Sequence, residues 1–364
     1  MSYHRFIGLV FLGAFIVVAS VCGLLFAYDP LQFWHKPWLR PNGFSKEMRQ
    51  QIKGMILHYD FDSVIMGDSM TLNVPADYLD YKVGGKWINL SASGTSITEK
   101  YVFLKYLFRH KKIKAVYNGF GPHIDDEPDM SEFDFLYDEN PFNDMKYYIN
   151  RKFITCALEW SSKTKCYFKK ELKTFTNVMN DYNITRRFGG FLHWFDSKEE
   201  MQKRLTYLEK ISKQKFELKP FSGSLQKDQK MINEKVFSLV AAHPETKFYF
   251  VIPSFSIYHY RTMPPQDYSK WEAILRWFIL ESQKYPNVSI YSAGNTDYVK
   301  DLAHYTDSVH HDMLMNVQQV DLIAKHQTLN AKNMDSYFRS LQQSIQDYDF
   351  NPLIHQLKEA IKPL

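Results

Sequence analysis

The apolar positions of this chain fall into one long run followed by a series of short ones. Phe6 to Tyr28 reads FIGLVFLGAFIVVASVCGLLFAY without a charged residue. At 1.5 Å per residue it spans roughly 34 Å, enough to cross a bilayer core of about 30 Å. A cleaved signal peptide would have a shorter apolar core ending in a small-residue cleavage site. Ala19-Ser20-Val21-Cys22 has a faint lipoprotein character, but Val21 is large for the position before the cysteine, and the apolar run continues past it. An uncleaved transmembrane anchor over 1–28 is therefore expected. Tyr28-Asp29-Pro30 ends it, and Trp34 and Trp38 just beyond fit an interfacial aromatic belt. Ser45 to Leu57 has helical spacing with Ser45 as its N-cap, so 29–60 reads as a juxtamembrane linker and helix.

From residue 61 to 364 the pattern alternates. Short apolar runs predict strands at Asp62–Met66, Lys86–Leu90, Ile113–Tyr117, Lys247–Ile252 and Val288–Tyr291. Helical spacing occupies Thr95–Phe108 and Gln266–Lys284. This alternation predicts an α/β domain with a parallel sheet covered on both faces. Between the third and fourth strands, an aromatic and charged stretch at about 120–224 is too long for a simple crossover. It reads as a mostly helical insertion able to shape a substrate groove. Asn333–Leu364 reads as an amphipathic helical tail interrupted by Pro352.

Composition narrows the function classes. Hydrophobic content of 45% with 23% charged residues is that of a folded protein rather than a disordered one. The net charge of +5 comes from Lys and Arg scattered along the chain, and no nucleic-acid module is recognisable. The run Arg109-His110-Lys111-Lys112 fits a helix C-terminus instead. With 24 Tyr and 28 Phe the chain is rich in aromatic residues, which either fill a core or line a sugar-binding or membrane surface. Arg5 precedes the apolar run and Lys36, Arg40, Lys46 and Arg49 follow it, so the positive-inside count does not favour an external C-terminus. Long domains translocate largely regardless of charge. Cys22 lies in the apolar run, while Cys156 and Cys166 either pair, in an oxidising compartment, or stay as free thiols.

The candidate chemistry lies where two strands end. The first strand runs into Gly67-Asp68-Ser69, a turn that exposes a hydroxyl at the sheet edge. Asp307-Ser308-Val309-His310 follows the fifth strand. A serine hydroxyl needs a base to take its proton, and a carboxylate three residues before a histidine can orient that base. Ligands of parallel sheets bind beyond the C-terminal strand ends, and both motifs fall on that edge. Asp68 reads as the cap of a following helix. His304, Asp307 and His310 also share a spacing that suits metal ligands on a helix, but the strand pattern puts them in a loop. His123-Ile124-Asp125-Asp126 opens the insertion, either lining a groove or forming an acidic solvated loop. Gly84-Gly85 reads as a turn without the context of a phosphate loop.

These motifs resemble the SGNH (GDSL-like) hydrolase superfamily, and more closely its membrane-anchored DltD-like and alginate-acetylation-like branch. The first block of that family matches Gly67-Asp68-Ser69, and its last matches Asp307-Ser308-Val309-His310. The resemblance spans roughly Asp62–Asn118 and Lys247–Lys325, with the insertion unmatched. It implies a flavodoxin-like three-layer fold, with Ser69 as nucleophile, His310 as base and Asp307 as the partner of that base. It also implies an oxyanion-hole glycine, which Gly94 in Asn89-Leu90-Ser91-Ala92-Ser93-Gly94 would supply. The family's third block, Gly-x-Asn-Asp, is not matched. Strand three ends Val116-Tyr117-Asn118-Gly119-Phe120, where Asn118 is either an oxyanion donor or a turn residue. The expected activity is acyl transfer or ester hydrolysis on an acylated bacterial envelope glycan, from the periplasmic or outer side of the cytoplasmic membrane. A multi-spanning membrane O-acyltransferase is the implied partner, membrane lipid the implied environment, and no cofactor or metal is called for. The alternative is a non-catalytic, membrane-tethered glycan-binding or assembly subunit built on the same fold.

Overall fold

The computed structural model describes residues 3–45, 47–121, 129–161, 166, 186–214 and 216–362. The chain divides into two compact units. One comprises Met1–Asp60, Val102–Lys112 and Pro128–Phe175, and the other comprises Phe61–Tyr101, Ile113–Glu127 and Thr176–Leu364. The division cuts through the stretch at about 120–224. Its described residues 129–161 and 166 belong to the first unit, whereas 120, 121 and those from 186 onward belong to the second.

In the first unit, helix α1 (Tyr3–Tyr28) is long and apolar enough to cross a membrane and is exposed along most of its length. Its end is determined by Asp29, whose left-handed φ of 39° takes the chain out of the helix before Pro30. The Asp29 carboxylate accepts the N–H groups of Phe33, Trp34 and His35 and the hydroxyl of Tyr148. Arg40 caps the C-terminus of the helix by donating Nε and Nη2 to the Tyr28 carbonyl, at 3.0 and 2.8 Å. Trp34 and Trp38 pack on Phe26, near the end of the helix.

Helix α2 (Met48–His58) starts later than the pattern predicts. Glu47 occupies the cap position, and the Ser45 hydroxyl takes the Glu47 N–H instead of capping a helical turn. Lys53 of α2 forms a buried ion pair with Asp144 at 2.6 Å. Such a pair costs several kcal/mol if only one partner is removed.

The second unit contains the sheet. Strands β1 (Ser63–Met66), β2 (Trp87–Asn89), β3 (Ala115–Gly119), β4 (Lys247–Ile252) and β5 (Val288–Ser292) are all parallel, in the order β2-β1-β3-β4-β5. That is a doubly wound order with a switch point between β1 and β3. β4 occupies the predicted residues, and the other four lie within two residues of their predicted bounds.

Ile65, Tyr117, Tyr249, Val251 and Tyr291 face Leu79 of helix α3 (Ala76–Lys82) on one side of the sheet. They also face Val320 and Ile323 of a later helix, Met313–Ala324. On the other side, Phe250 meets Phe278 of the helix Pro265–Ser282, which in turn stacks on Phe120 and Phe237. Both faces are therefore covered, as the near-continuous apolar strands require. Tyr117 and Tyr291 are fully buried in this core, while Tyr258 and Tyr305 are fully buried in a second cluster with Phe191, Trp194 and Phe350. Pro352 does not interrupt a helix in the tail. It sits in the first turn of Asn351–Ile361, after the preceding helix has ended at Gln346.

Cys156, in the helix Arg151–Leu158, is bonded to Cys166. Closing a loop with a sequence separation of 10 should stabilise its unit by about 2–3 kcal/mol. Urea unfolding with and without dithiothreitol, or of Cys166→Ser, is expected to show that loss. An unchanged midpoint would mean that packing alone holds this segment.

Candidate active site

β1 delivers Gly67, Asp68 and Ser69 into a tight turn. The Asp68 carboxylate accepts the Met70 N–H at 2.9 Å, and the Asp68 carbonyl accepts both the N–H and the hydroxyl of Thr71. Asp68 therefore closes the turn and does not cap a helix, since the next helix begins only at Ala76. A Cβ on Gly67 would lie 2.4 Å from Thr71 Oγ1, and one on Gly119 would lie 2.6 Å from Thr71 Cγ2. Close approach, rather than an unusual φ, demands glycine at both places. Thr71 Oγ1 also lies 2.8 Å from Ser91 Oγ, and Asn89 Nδ2 donates to the Thr71 carbonyl at 2.8 Å. The turn is thereby tied to the end of β2.

The second half of the site is a tight loop between Tyr305 and His311, which form an antiparallel bridge. Asp307 Oδ1 accepts the N–H groups of Val309 and His310, both at 2.8 Å. Tyr305 donates its hydroxyl to the Ser254 carbonyl beyond β4, and Trp194 Nε1 donates to the Tyr305 carbonyl. Ser256 Oγ donates to the Ser308 carbonyl at 2.6 Å, and His259 Nδ1 shares a hydrogen bond with Ser308 Oγ. The bracing by Ser254, Ser256 and His259 has no motif, and the only signal for it is their position just after β4.

These two pieces meet. His310 Nε2 lies 2.9 Å from Ser69 Oγ, and His310 Nδ1 lies 2.7 Å from Asp307 Oδ2. With Nδ1–H donated to the carboxylate, Nε2 is left to accept the serine proton. The Asp307 hydrogen bond raises the His310 pKa against the effect of burial, with the Asp307 and Asp68 charges adding to it. Burial pushes the Asp307 carboxyl up, but the His310 ring and the two N–H groups outweigh it and hold the pKa below its ordinary value. The arrangement can activate a hydroxyl for attack on an acyl carbonyl.

The remaining sequence candidates separate. His304 does not share a face with His310; its Nδ1 lies 3.0 Å from Asp312 Oδ2 and its ring stacks on Tyr298. Among the described residues no group of three or more His, Cys, Asp or Glu side chains is arranged to hold a metal. His311 is buried, gives Nδ1 to the Asp312 carbonyl, and has its pKa pushed down by burial to about 4. It is a neutral structural histidine at physiological pH.

Gly94 lies in an exposed turn with φ of 65°, which explains glycine there. No hydrogen bond links it to the triad among the described residues. Asn118 pairs in register with Met66, one residue before the Gly67 turn, and its Oδ1 is buried without a partner. His123 to Asp126 lie outside the described residues. Gly84-Gly85 form a turn at positive φ after α3.

Beside the triad, Trp194, Phe195, Lys203, Arg204, Tyr207 and Asp307 line a groove of about 520 Å³. Lys203, Arg204 and Tyr207 come from the helix Lys198–Ser212, within the 120–224 stretch.

No family model matches the chain, and no curated protein matches it significantly.

Two outcomes follow from this geometry. Gly67→Ala should destabilise the protein by about 1–3 kcal/mol through overpacking against Thr71. Thr71→Ala, which loses the bonds to Asp68 and Ser91, should cost less in that background than it does alone because it also relieves the overpacking. Thermal unfolding of the single and double variants measures this coupling. Serine reactivity should also follow the neutral form of His310. Fluorophosphonate labelling is therefore expected to rise with pH through a midpoint above the ordinary histidine value of 6.5. Asp307→Asn should move that midpoint to lower pH and slow labelling by roughly a thousandfold or more.

Proposed function

We propose that the chain is a membrane-anchored serine acyltransferase or esterase acting on O-acyl groups of a bacterial envelope polysaccharide. The observation that carries this reading is the continuous contact from Ser69 Oγ through the His310 ring to Asp307. Ser69 Oγ attacks the acyl carbonyl as its proton passes to His310 Nε2, and Asp307 holds the resulting imidazolium. The bond from the acyl carbon to the donor oxygen then breaks, and that oxygen leaves with the proton from His310. A sugar hydroxyl or water, deprotonated by His310, attacks the acyl-serine and releases Ser69. The Asn118 side-chain amide, at the strand end beside the turn, and backbone N–H groups are the candidates for holding the oxyanion.

Three further features support the setting. Helix α1 has the length and apolarity of an anchor. The Cys156–Cys166 bond suits an oxidising compartment, which favours placing the soluble part outside the cytoplasm. The groove beside Asp307 offers aromatic surface with both cationic (Lys203, Arg204) and acidic (Glu200) side chains, hydrogen-bonding groups suited to a hydroxyl-rich polymer. A single helix cannot bring an activated acyl group across a bilayer, so transfer would need a multi-spanning O-acyltransferase as donor, whereas deacylation would not. The SGNH-like resemblance, of the DltD-like and alginate-acetylation-like kind, agrees with this reading.

Ser69→Ala is expected to abolish fluorophosphonate labelling and acyl-group turnover while leaving the thermal unfolding profile unchanged. Normal glycan acylation in cells carrying only Ser69→Ala would overturn the catalytic reading in favour of a non-catalytic glycan-binding or assembly subunit.

A further inference from the structure

Lys100 is a charged group that the reaction above does not use, and it is buried, with 5% of its surface exposed. It lies in the helix Ile97–His110, one residue after Glu99. Glu99 closes a capping box with Ser96, accepting the Ser96 N–H while its own N–H goes to Ser96 Oγ. Lys100 Nζ donates to the Gly119 carbonyl at 2.7 Å and has no carboxylate at ion-pair distance among the described residues. A buried ammonium with one carbonyl partner is expensive to keep in a fold and needs a reason.

Its position supplies one. Gly119 ends β3, and a Cβ there would lie 2.6 Å from Thr71 Cγ2 and 3.8 Å from Gly67 Cα. The carbonyl held by Lys100 thus belongs to the backbone that abuts the nucleophile turn. Asn118 is the residue just before it. The charged groups facing Lys100 are Asp68, from that turn, and Glu99, from its own helix. The Tyr117 phenol, which also interacts with Asp68, is pushed up far beyond the alkaline range by burial.

We propose that Lys100 is a positioning residue of the site. Its ammonium fixes the end of β3, and with it Asn118, against the Ser69 turn, and it keeps a buried positive charge within electrostatic reach of that turn. The inference rests on the hydrolase reading. Burial lowers the Lys100 pKa, partly opposed by Asp68 and Glu99. The positive charge beside the turn should therefore be lost at a pH below the ordinary lysine value of 10.5.

The test uses the full chain, with p-nitrophenyl acetate as the probe substrate and fluorophosphonate as the probe of Ser69. Lys100→Met should lower kcat by roughly tenfold to a hundredfold with KM within about twofold, and should slow labelling in proportion. The wild-type rate should fall on an alkaline limb, and Lys100→Arg should move that limb to higher pH because the guanidinium keeps its proton. If Lys100→Met does not fold, the limb of Lys100→Arg decides. A wild-type kcat in Lys100→Met, or the same alkaline limb in the wild type and Lys100→Arg, overturns the proposal. A wild-type chain that fails to label at all overturns the hydrolase reading, and with it this role, and that result is distinct from normal labelling in the Lys100 variants.

Discussion

The hydrogen bond from Ser69 to His310 joins residues 241 apart in sequence, and the chemistry proposed for this chain depends on it. Neither residue gains anything locally from the contact. It forms because a parallel sheet puts the C-terminal ends of its strands on one edge, so loops that are distant in sequence emerge side by side. Its length is set by two rigid loops. One is held by Thr71 between Gly67 and Gly119, and the other by Asp307 folded onto the N–H groups of its own turn. An error of 1 Å in either would cost far more than the bond itself contributes.

Asp307 illustrates how one carboxylate serves fold and chemistry together. Its Oδ1 closes the loop backbone while its Oδ2 binds the imidazole. The same contacts that shape the turn hold the carboxyl pKa down despite partial burial, and the ionised carboxyl in turn raises the basicity of His310. His311, one residue along, points the other way, and burial leaves it neutral. Adjacent histidines are thus shifted in opposite directions, one by the Asp307 carboxylate beside it and the other by burial.

The Ser69 turn and the end of β3 form a second dependency. Gly67, Thr71 and Gly119 approach too closely for any side chain at the glycine positions. The carbonyl of Gly119 is turned toward a buried ammonium rather than toward another strand. Packing and electrostatics therefore act on the same few atoms, next to the residue whose Oδ1 is left without a partner. Leaving such an atom unsatisfied costs about 1–3 kcal/mol.

The strands were legible because each is a short apolar run bounded by turn residues, and strand periodicity needs no knowledge of partners. The anchor-length helix was legible for the same reason, and Gly-Asp-Ser and Asp-x-x-His stood out as reactive types at strand ends. The start of α2 was misread at Ser45, because a serine signals a cap only if the next turn is helical, and here the Ser45 hydroxyl holds the Glu47 N–H. Asp68 was misread in the same way. Nothing in the sequence marked Thr71, Ser256 or His259 as supports of the site, since their roles exist only across elements. The sequence by itself determined which segments are strands and which residues carry reactive groups, because those depend on local pattern and residue chemistry. Only the tertiary structure decided how closely His310 approaches Ser69, how the stretch at 120–224 is shared between two units, and where Lys100 is buried, because these depend on distances between segments that no local pattern encodes.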